Sequence, residues 1–245
     1  MNTYEGQVVL ITGATRGIGA SIAETFAAAG ADLILTGTNQ KQIDQLNSER
    51  HRIGQYFCVD FDSNNSLTNF LTRVSALDRL DVCINNAGIN PLNEIDKVLI
   101  EDFDRTTRVN FRAPYLICQE AIRKMKVSSY GRVLNIGSIW ASSTKIGRSV
   151  YSASKAGLVG MTRAIATDVG RFNILVNAIS PGFVLTDMTR SNLSEEARRE
   201  LANQVPLGRF AEPEEIAKVA AFLCSKENTF ITGQDIVVDG GFTNA

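Results

Sequence analysis

Val8-Val9-Leu10-Ile11-Thr12-Gly13-Ala14-Thr15-Arg16-Gly17-Ile18-Gly19 is the stretch on which the fold turns. A β-branched apolar run passes directly into a glycine-rich turn, after which Ile18, Ile22, Phe26 and Ala29 recur at helical spacing. Strand, turn and helix in this order form the context of a phosphate-binding turn. The glycines let the backbone approach a pyrophosphate, whose charge is stabilised by unpaired N–H groups and the helix dipole. Gly13, Thr15, Arg16, Gly17, Ile18 and Gly19 are therefore expected to contact a dinucleotide. The glycine spacing departs from G-x-G-x-x-G, and an ordinary glycine-rich strand-helix turn reads the same way.

Outward from this stretch, six more short runs read as strands: Leu33 to Thr36, Tyr56 to Val59, Val82 to Asn85, Val133 to Ile136, Leu175 to Ala178 and Ile236 to Val238. Amphipathic segments separate them, such as the one carrying Ala156, Val159, Met161, Ile165 and Val169. Alternation of this kind predicts an α/β fold: one doubly wound Rossmann domain over 1–245, with a seven-stranded parallel sheet and helices on both faces. The least regular stretch runs from Pro181 to Gly208 and includes a polar, helix-patterned Ser191 to Gln204. It begins beyond the carboxyl end of a strand, where open parallel sheets bind ligands, so a substrate lid is expected at about 183–208.

Composition narrows the function. With 25 basic and 26 acidic residues and no basic block, the chain lacks the field that nucleic acid requires. Cys58, Cys83, Cys118 and Cys224 show neither a disulfide framework nor metal spacing, and two of them sit in runs that read as buried strands. His51, the only histidine, is read as a surface residue, which leaves a Ser-His-Asp hydrolase or a histidine metal site poorly supported. Met1 to Gly6 is not a basic segment leading into an apolar one, and no apolar run is long enough to span a bilayer. A cytoplasmic protein with no membrane, nucleic-acid or metal partner is expected.

The second strand ends in Gly37-Thr38-Asn39-Gln40, with no acid before Asp44. An acid here would bind a ribose 2′-hydroxyl and repel a 2′-phosphate. Thr38 and Asn39 can instead donate hydrogen bonds and Arg16 can supply charge, so NADPH is favoured over NADH. Asp60, with the Phe61 backbone beside it, suits an adenine amino group, although Asp60, Asp62 and Ser63 equally suit a helix entrance.

Tyr151 and Lys155 are spaced i, i+4 on a helical segment and share a face. Most such pairs are surface neighbours, but Ser138 follows strand five at its carboxyl end and Asn110 lies in the long preceding helix, so four polar groups can converge.

TGATRGIG, NNAG at Asn85 to Gly88, Asn110, Ser138, YSASK at Tyr151 to Lys155 and Pro181-Gly182 occur in one order, in which the whole chain resembles the short-chain dehydrogenase/reductases. The resemblance implies Tyr151 as proton donor and Lys155 as the ammonium that favours the phenolate and binds the nicotinamide ribose. It implies Ser138 orienting the substrate oxygen and Asn110 holding a water for reprotonation. It also implies Asn86, Ala87 and Gly88 along the adenosine ribose, and Pro181, Gly182, Val184 and Thr186 at the nicotinamide.

Within that family PGFVLTDMT at Pro181 to Thr189, VPLGRFAEPEEIA at Val205 to Ala217 and ITGQDIVVDGG at Ile231 to Gly241 look most like the β-ketoacyl-acyl-carrier-protein reductases of fatty acid biosynthesis. That likeness implies a 3-oxoacyl thioester substrate, an acyl carrier protein as partner and a homotetramer. Basic docking residues that those reductases carry are Ser129 and Phe172 here, with Arg132 and Arg171 close enough to substitute. Trp140 and Arg148 flank Ser138 and Tyr151, and if both face the substrate they suit a sugar or another polar anion. The alternative is an indole packed under the lid with a solvated arginine. A non-enzymatic NADPH-binding sensor on the same fold is the third reading.

Overall fold

A computed structural model describes residues 3–49, 53–186, 189–190 and 193–245. All seven expected strands form, in one parallel sheet of order β3-β2-β1-β4-β5-β6-β7. They are β1 (Val8–Ile11), β2 (Asp32–Gly37), β3 (Gln55–Cys58), β4 (Val82–Asn85), β5 (Gly131–Ile136), β6 (Ile174–Pro181) and β7 (Asp235–Val238). β6 runs past its expected end at Ala178 because Ile179, Ser180 and Pro181 pair with Ile236, Val237 and Val238 of β7. Partners in the sheet, not local composition, set that boundary.

Helices cover both faces. α1 (Gly17–Ala28), α2 (Gln40–Ser48) and α8 (Pro213–Cys224) bury Ile22, Phe26, Ile43, Ile216 and Leu223 on one side. α3 (Asn64–Ser75), α5 (Ala113–Ser128) and α6 (Ser149–Val169) bury Phe70, Ile117, Met125, Leu158 and Val169 on the other. The buried side of α6 passes through Leu158, Thr162 and Ala166, while Ala156, expected on the apolar face, is exposed. Cys83 is buried in β4, whereas Cys58 at the end of edge strand β3 is exposed, contrary to its strand's apolar reading.

α4 (Ile100–Thr107) continues into a π-helical segment, Arg108–Arg112, and then α5. Between β6 and α8 lies α7 (Glu195–Ala202), capped by Ser194, whose hydroxyl accepts the Ala197 N–H. It is shorter than the helix-patterned stretch, of which residues 191 and 192 lie outside the described residues, as do 187 and 188 of the expected lid and His51. Among the described residues no helix is long and apolar enough to cross a membrane.

Candidate active site

β1 and β4 are neighbours in the sheet, yet the helices that follow them go to opposite faces, and a crevice opens where the chain diverges. Side chains knit its two walls together. Thr12 Oγ1 accepts the N–H groups of Asn86 and Ala87, each at 3.0 Å. Asn86 Nδ2 donates to the carbonyls of Thr12 and Gly13, both at 2.9 Å. From the other side Gly13 N–H donates to Thr36 Oγ1 at 3.1 Å. The Asn86 amide, expected on a ribose, is thus committed to shaping the glycine turn. Thr12 and Thr36 are site-forming residues to which the sequence reading assigned no role; a hydroxyl ending each of two neighbouring strands was the available signal.

The turn fits a dinucleotide. Gly13 and Gly17 have φ of +65° and +55°, which side chains rarely adopt. A Cβ on Gly19 would lie 2.3 Å from the Gly13 carbonyl oxygen, so helix and turn can close only on glycine. α1 begins with no side-chain cap and no acid in its first turn, whereas Asn39 and Ser63 cap α2 and α3. Its first N–H groups therefore remain available for a phosphate. Thr15 is half-buried, and Arg16 and Thr38 beside it are exposed. Asn39 Oδ1 accepts the Gln42 N–H at 3.1 Å, which leaves its amide nitrogen to donate.

Asp60 is exposed and its Oδ1 accepts the Asp62 N–H at 2.9 Å, while the Phe61 ring turns into the core against Phe70. Helix α3 is capped by Ser63, so capping does not account for Asp60. Thr186 lies against the turn, its Cγ2 3.2 Å from where a Gly17 Cβ would stand. Pro181 ends β6, Gly182 N–H donates to the Val238 carbonyl at 2.9 Å, and Val184 is buried in a bridge to Ala211.

Four polar residues meet further along the crevice. Ser138 follows β5 and is nearly buried, and its Oγ accepts the Trp140 N–H at 3.2 Å. Tyr151 lies in the first turns of α6, close enough to Ser138 for the serine hydroxyl to favour its ionised form. Burial pushes its phenol above the ordinary value, against which the Ser138 hydroxyl and the Arg148 charge pull it down. Lys155 is buried one turn on, and its Nζ donates to the Ile136 carbonyl at 2.6 Å. Burial draws its pKa down to about 8. The Arg148 charge thus acts on Tyr151 together with Lys155, whose Nζ stands 5.7 Å from the centre of the Tyr151 ring.

Asn110 sits in the π-helical segment, where Pro114 has no N–H to offer the Asn110 carbonyl. Its side chain clasps Ile89, accepting the N–H and donating to the carbonyl, both at 2.8 Å, and also donates to Ser154 Oγ at 3.1 Å. A Cβ on Gly88 would stand 3.4 Å from Asn110 Oδ1 and 3.6 Å from Lys155 Nζ, so Gly88, Asn110 and Lys155 meet at one point.

Trp140 is buried, edge-on to Phe183 and Phe242 at 6.2 and 6.1 Å, and its ring carries the Arg148 guanidinium at 5.1 Å. An open indole platform for a substrate ring is absent; the packed alternative describes Trp140, while Arg148 is half-buried beside Tyr151. Arg132, expected to substitute in docking, lies elsewhere. Its side chain is buried and donates to the carbonyls of Gly131, Asn173, Ser225 and Asn228, so it cannot take part in docking. Arg171 is exposed and stacks on Phe172, whose ring Lys126 also approaches.

Residues 13–243 match the family model described as enoyl-(acyl carrier protein) reductase. The chain is 38% identical over 245 residues to the 3-oxoacyl-[acyl-carrier-protein] reductase FabG of Aquifex aeolicus, covering 97% of each chain. It is 37% identical over 241 residues to that of Rickettsia bellii, covering 98% of each. A solved structure from Beutenbergia cavernae, described as an NAD(P)-dependent gluconate 5-dehydrogenase with NADP bound at low occupancy, superimposes over 100% of both chains with a TM-score of 0.91 and 28% identity. By these matches the chain belongs to the short-chain dehydrogenase/reductase family and is an oxidoreductase.

Proposed function

We propose that this protein transfers a hydride between NADP(H) and a carbonyl or secondary alcohol, with Tyr151 as its general acid and base. The convergence of Ser138, Tyr151 and a buried Lys155 at the end of the dinucleotide crevice carries this reading. A sensor has no use for such a cluster. The nicotinamide supplies or accepts the hydride when bound. Ser138 orients the substrate oxygen and Tyr151 gives it a proton as charge develops there. Lys155 binds the nicotinamide ribose, and Asn110 holds a water through which the proton is replaced.

Gly13, Thr15, Arg16, Gly17, Ile18 and Gly19 hold the pyrophosphate, and Thr38 with Arg16 receives a 2′-phosphate. Asp60 and the Phe61 backbone bind adenine, Ala87 and Gly88 line the ribose, and Pro181, Gly182, Val184 and Thr186 meet the nicotinamide. Residues 183–208 form the substrate lid of one domain spanning 1–245. Arg112 to Lys126 and Ala153 to Arg171 form the contacts of a homotetramer, supported by the exposed Tyr115 and the partly exposed Leu116 and Ile165.

The curated relatives support a 3-oxoacyl thioester substrate with an acyl carrier protein as partner. A second reading, a sugar acid or similar anion, is favoured by the half-buried Arg148 beside Tyr151 and by the gluconate dehydrogenase among the structural relatives. Incubating the purified protein with NADPH and a panel of 3-oxoacyl thioesters and keto-sugar acids, and following reduced nicotinamide by absorbance, tests the reading. No consumption with any ketone overturns it.

A further inference from the structure

From Tyr130 to Asp168 the chain carries no acidic residue between those two positions, yet it carries Arg132, Lys145, Arg148, Lys155 and Arg163. This segment includes β5, the turn at Ser138 and the catalytic end of α6. Two of its cations have protein partners: Arg132, at the amino end of β5, is enclosed by four carbonyls, and Lys155 donates to Ile136. Lys145, which also lies over the Trp140 ring, and Arg163 make no ion pair among the described residues but are exposed, whereas Arg148 is half-buried. It precedes α6, one helical turn before Tyr151, and its guanidinium lies 5.1 Å from the centre of the Trp140 ring. Among the described residues it makes no ion pair and its side chain donates no hydrogen bond. Asp102, which borders the same loop at Gly147, accepts instead from Asn93 Nδ2 at 3.3 Å.

A partly desolvated guanidinium without an acceptor is unfavourable, and stacking on an indole satisfies neither its charge nor its N–H edge. Stacking does hold the plane of the group, so that the edge is presented as a fixed fork suited to a carboxylate. The Trp140 ring is itself held by Phe183 and Phe242, and the Trp140 backbone N–H donates to Ser138 Oγ. The guanidinium therefore sits one helical turn before Tyr151, on the ring of a residue whose backbone is bonded to Ser138.

We propose that Arg148 is a carboxylate-binding residue of the substrate site, and that the substrate is a small oxo acid or hydroxy acid anion whose own carboxylate lies a few bonds from the reacting carbon. The inference rests on Tyr151 as proton donor and on the second of the two substrate readings, the anion, and narrows what that site accepts. A thioester offers no anion at that distance, because the phosphate of a pantetheine arm lies far along the chain from the acyl carbonyl.

The test compares NADPH-dependent reduction of one small oxo acid with that of its methyl ester, and with a 3-oxoacyl thioester, using wild-type protein, Arg148→Met and Arg148→Lys. Wild type should prefer the acid to the ester by tenfold or more in kcat/KM, in keeping with a charge-assisted hydrogen bond. Arg148→Met should lower kcat/KM for the acid at least tenfold more than for the ester, chiefly through KM, and Arg148→Lys should recover part of that loss. Equal use of acid and ester by wild type, or a preference for the thioester, overturns the proposal and leaves the reductase reading standing. Failure to reduce any ketone overturns both. The acid and ester comparison on wild type decides the matter even if a variant does not fold.

Discussion

Lys155 Nζ donates to the Ile136 carbonyl at 2.6 Å and stands 5.7 Å from the centre of the Tyr151 ring. The ammonium is thus tied to the end of β5 and buried, and burial brings its pKa down to about 8 from 10.5. Keeping that charge in the fold costs about 3 kcal/mol at neutral pH. Between about pH 8 and pH 10.5 the folded protein has released a proton that the unfolded chain still holds, so stability rises with pH across that window.

Lys155→Met should therefore stabilise the cofactor-free protein at pH 7. A net gain of about 1–2 kcal/mol is expected once the abandoned Ile136 carbonyl is counted. Denaturant unfolding at pH 7 and pH 10 checks both the gain and the loss of the pH-dependent rise. A variant less stable than wild type at pH 7 contradicts the buried charge. The same variant should lose activity and NADPH affinity together.

Tyr151→Phe should abolish carbonyl reduction while leaving NADPH binding nearly intact, because it removes the hydroxyl and keeps the ring. General acid catalysis is worth roughly 10² to 10⁴ in rate. Single-turnover kinetics with a fluorescence titration of NADPH separate the two effects. Retention of more than about a tenth of the wild-type rate would sink the assignment.

NADPH should bind much more tightly than NADH, since β2 ends at Gly37 and is followed by Thr38 rather than an acid, with Arg16 exposed in the glycine turn. Thr38→Asp should narrow or reverse that preference by placing a negative charge at the 2′-phosphate. Equal affinities in wild type, measured by titration, would remove the argument.

Asn110→Ala leaves both the N–H and the carbonyl of Ile89 without their side-chain partner and releases Ser154 Oγ. Each fully buried polar group left unpaired costs about 1–3 kcal/mol, and because both Ile89 groups are only part-buried a loss of about 2–4 kcal/mol, in the lower half of their sum, is expected. Asn110→Asp keeps an acceptor for the Ile89 N–H but faces its carbonyl with an oxygen, and should fall between the two. Urea unfolding orders the three proteins; an Asn110→Ala variant as stable as wild type contradicts the clasp.

Some of this was legible in the amino acids and some was not. The strand-turn-helix at Val8 to Gly19, the strand-helix alternation and the shared face of Tyr151 and Lys155 were readable because each depends on spacing within one element. The same reasoning misplaced Ala156 on the buried side of α6 and ended β6 at Ala178. It offered Arg132 for docking, although that side chain reaches carbonyls of Ser225 and Asn228, 93 and 96 residues away.

The sequence by itself determined the order of the elements, the glycine turn and the residue types available for chemistry, since backbone sterics and side-chain periodicity act over a few residues. Only the tertiary structure decided that Thr12 joins Asn86 and Ala87, that Trp140 is packed by Phe183 and Phe242, and that Arg148 is left half-buried beside Tyr151. Those partners come from strands and loops far apart in the chain. Parallel crossovers bring them together, and burial then fixes which polar group finds an acceptor and which waits for a ligand.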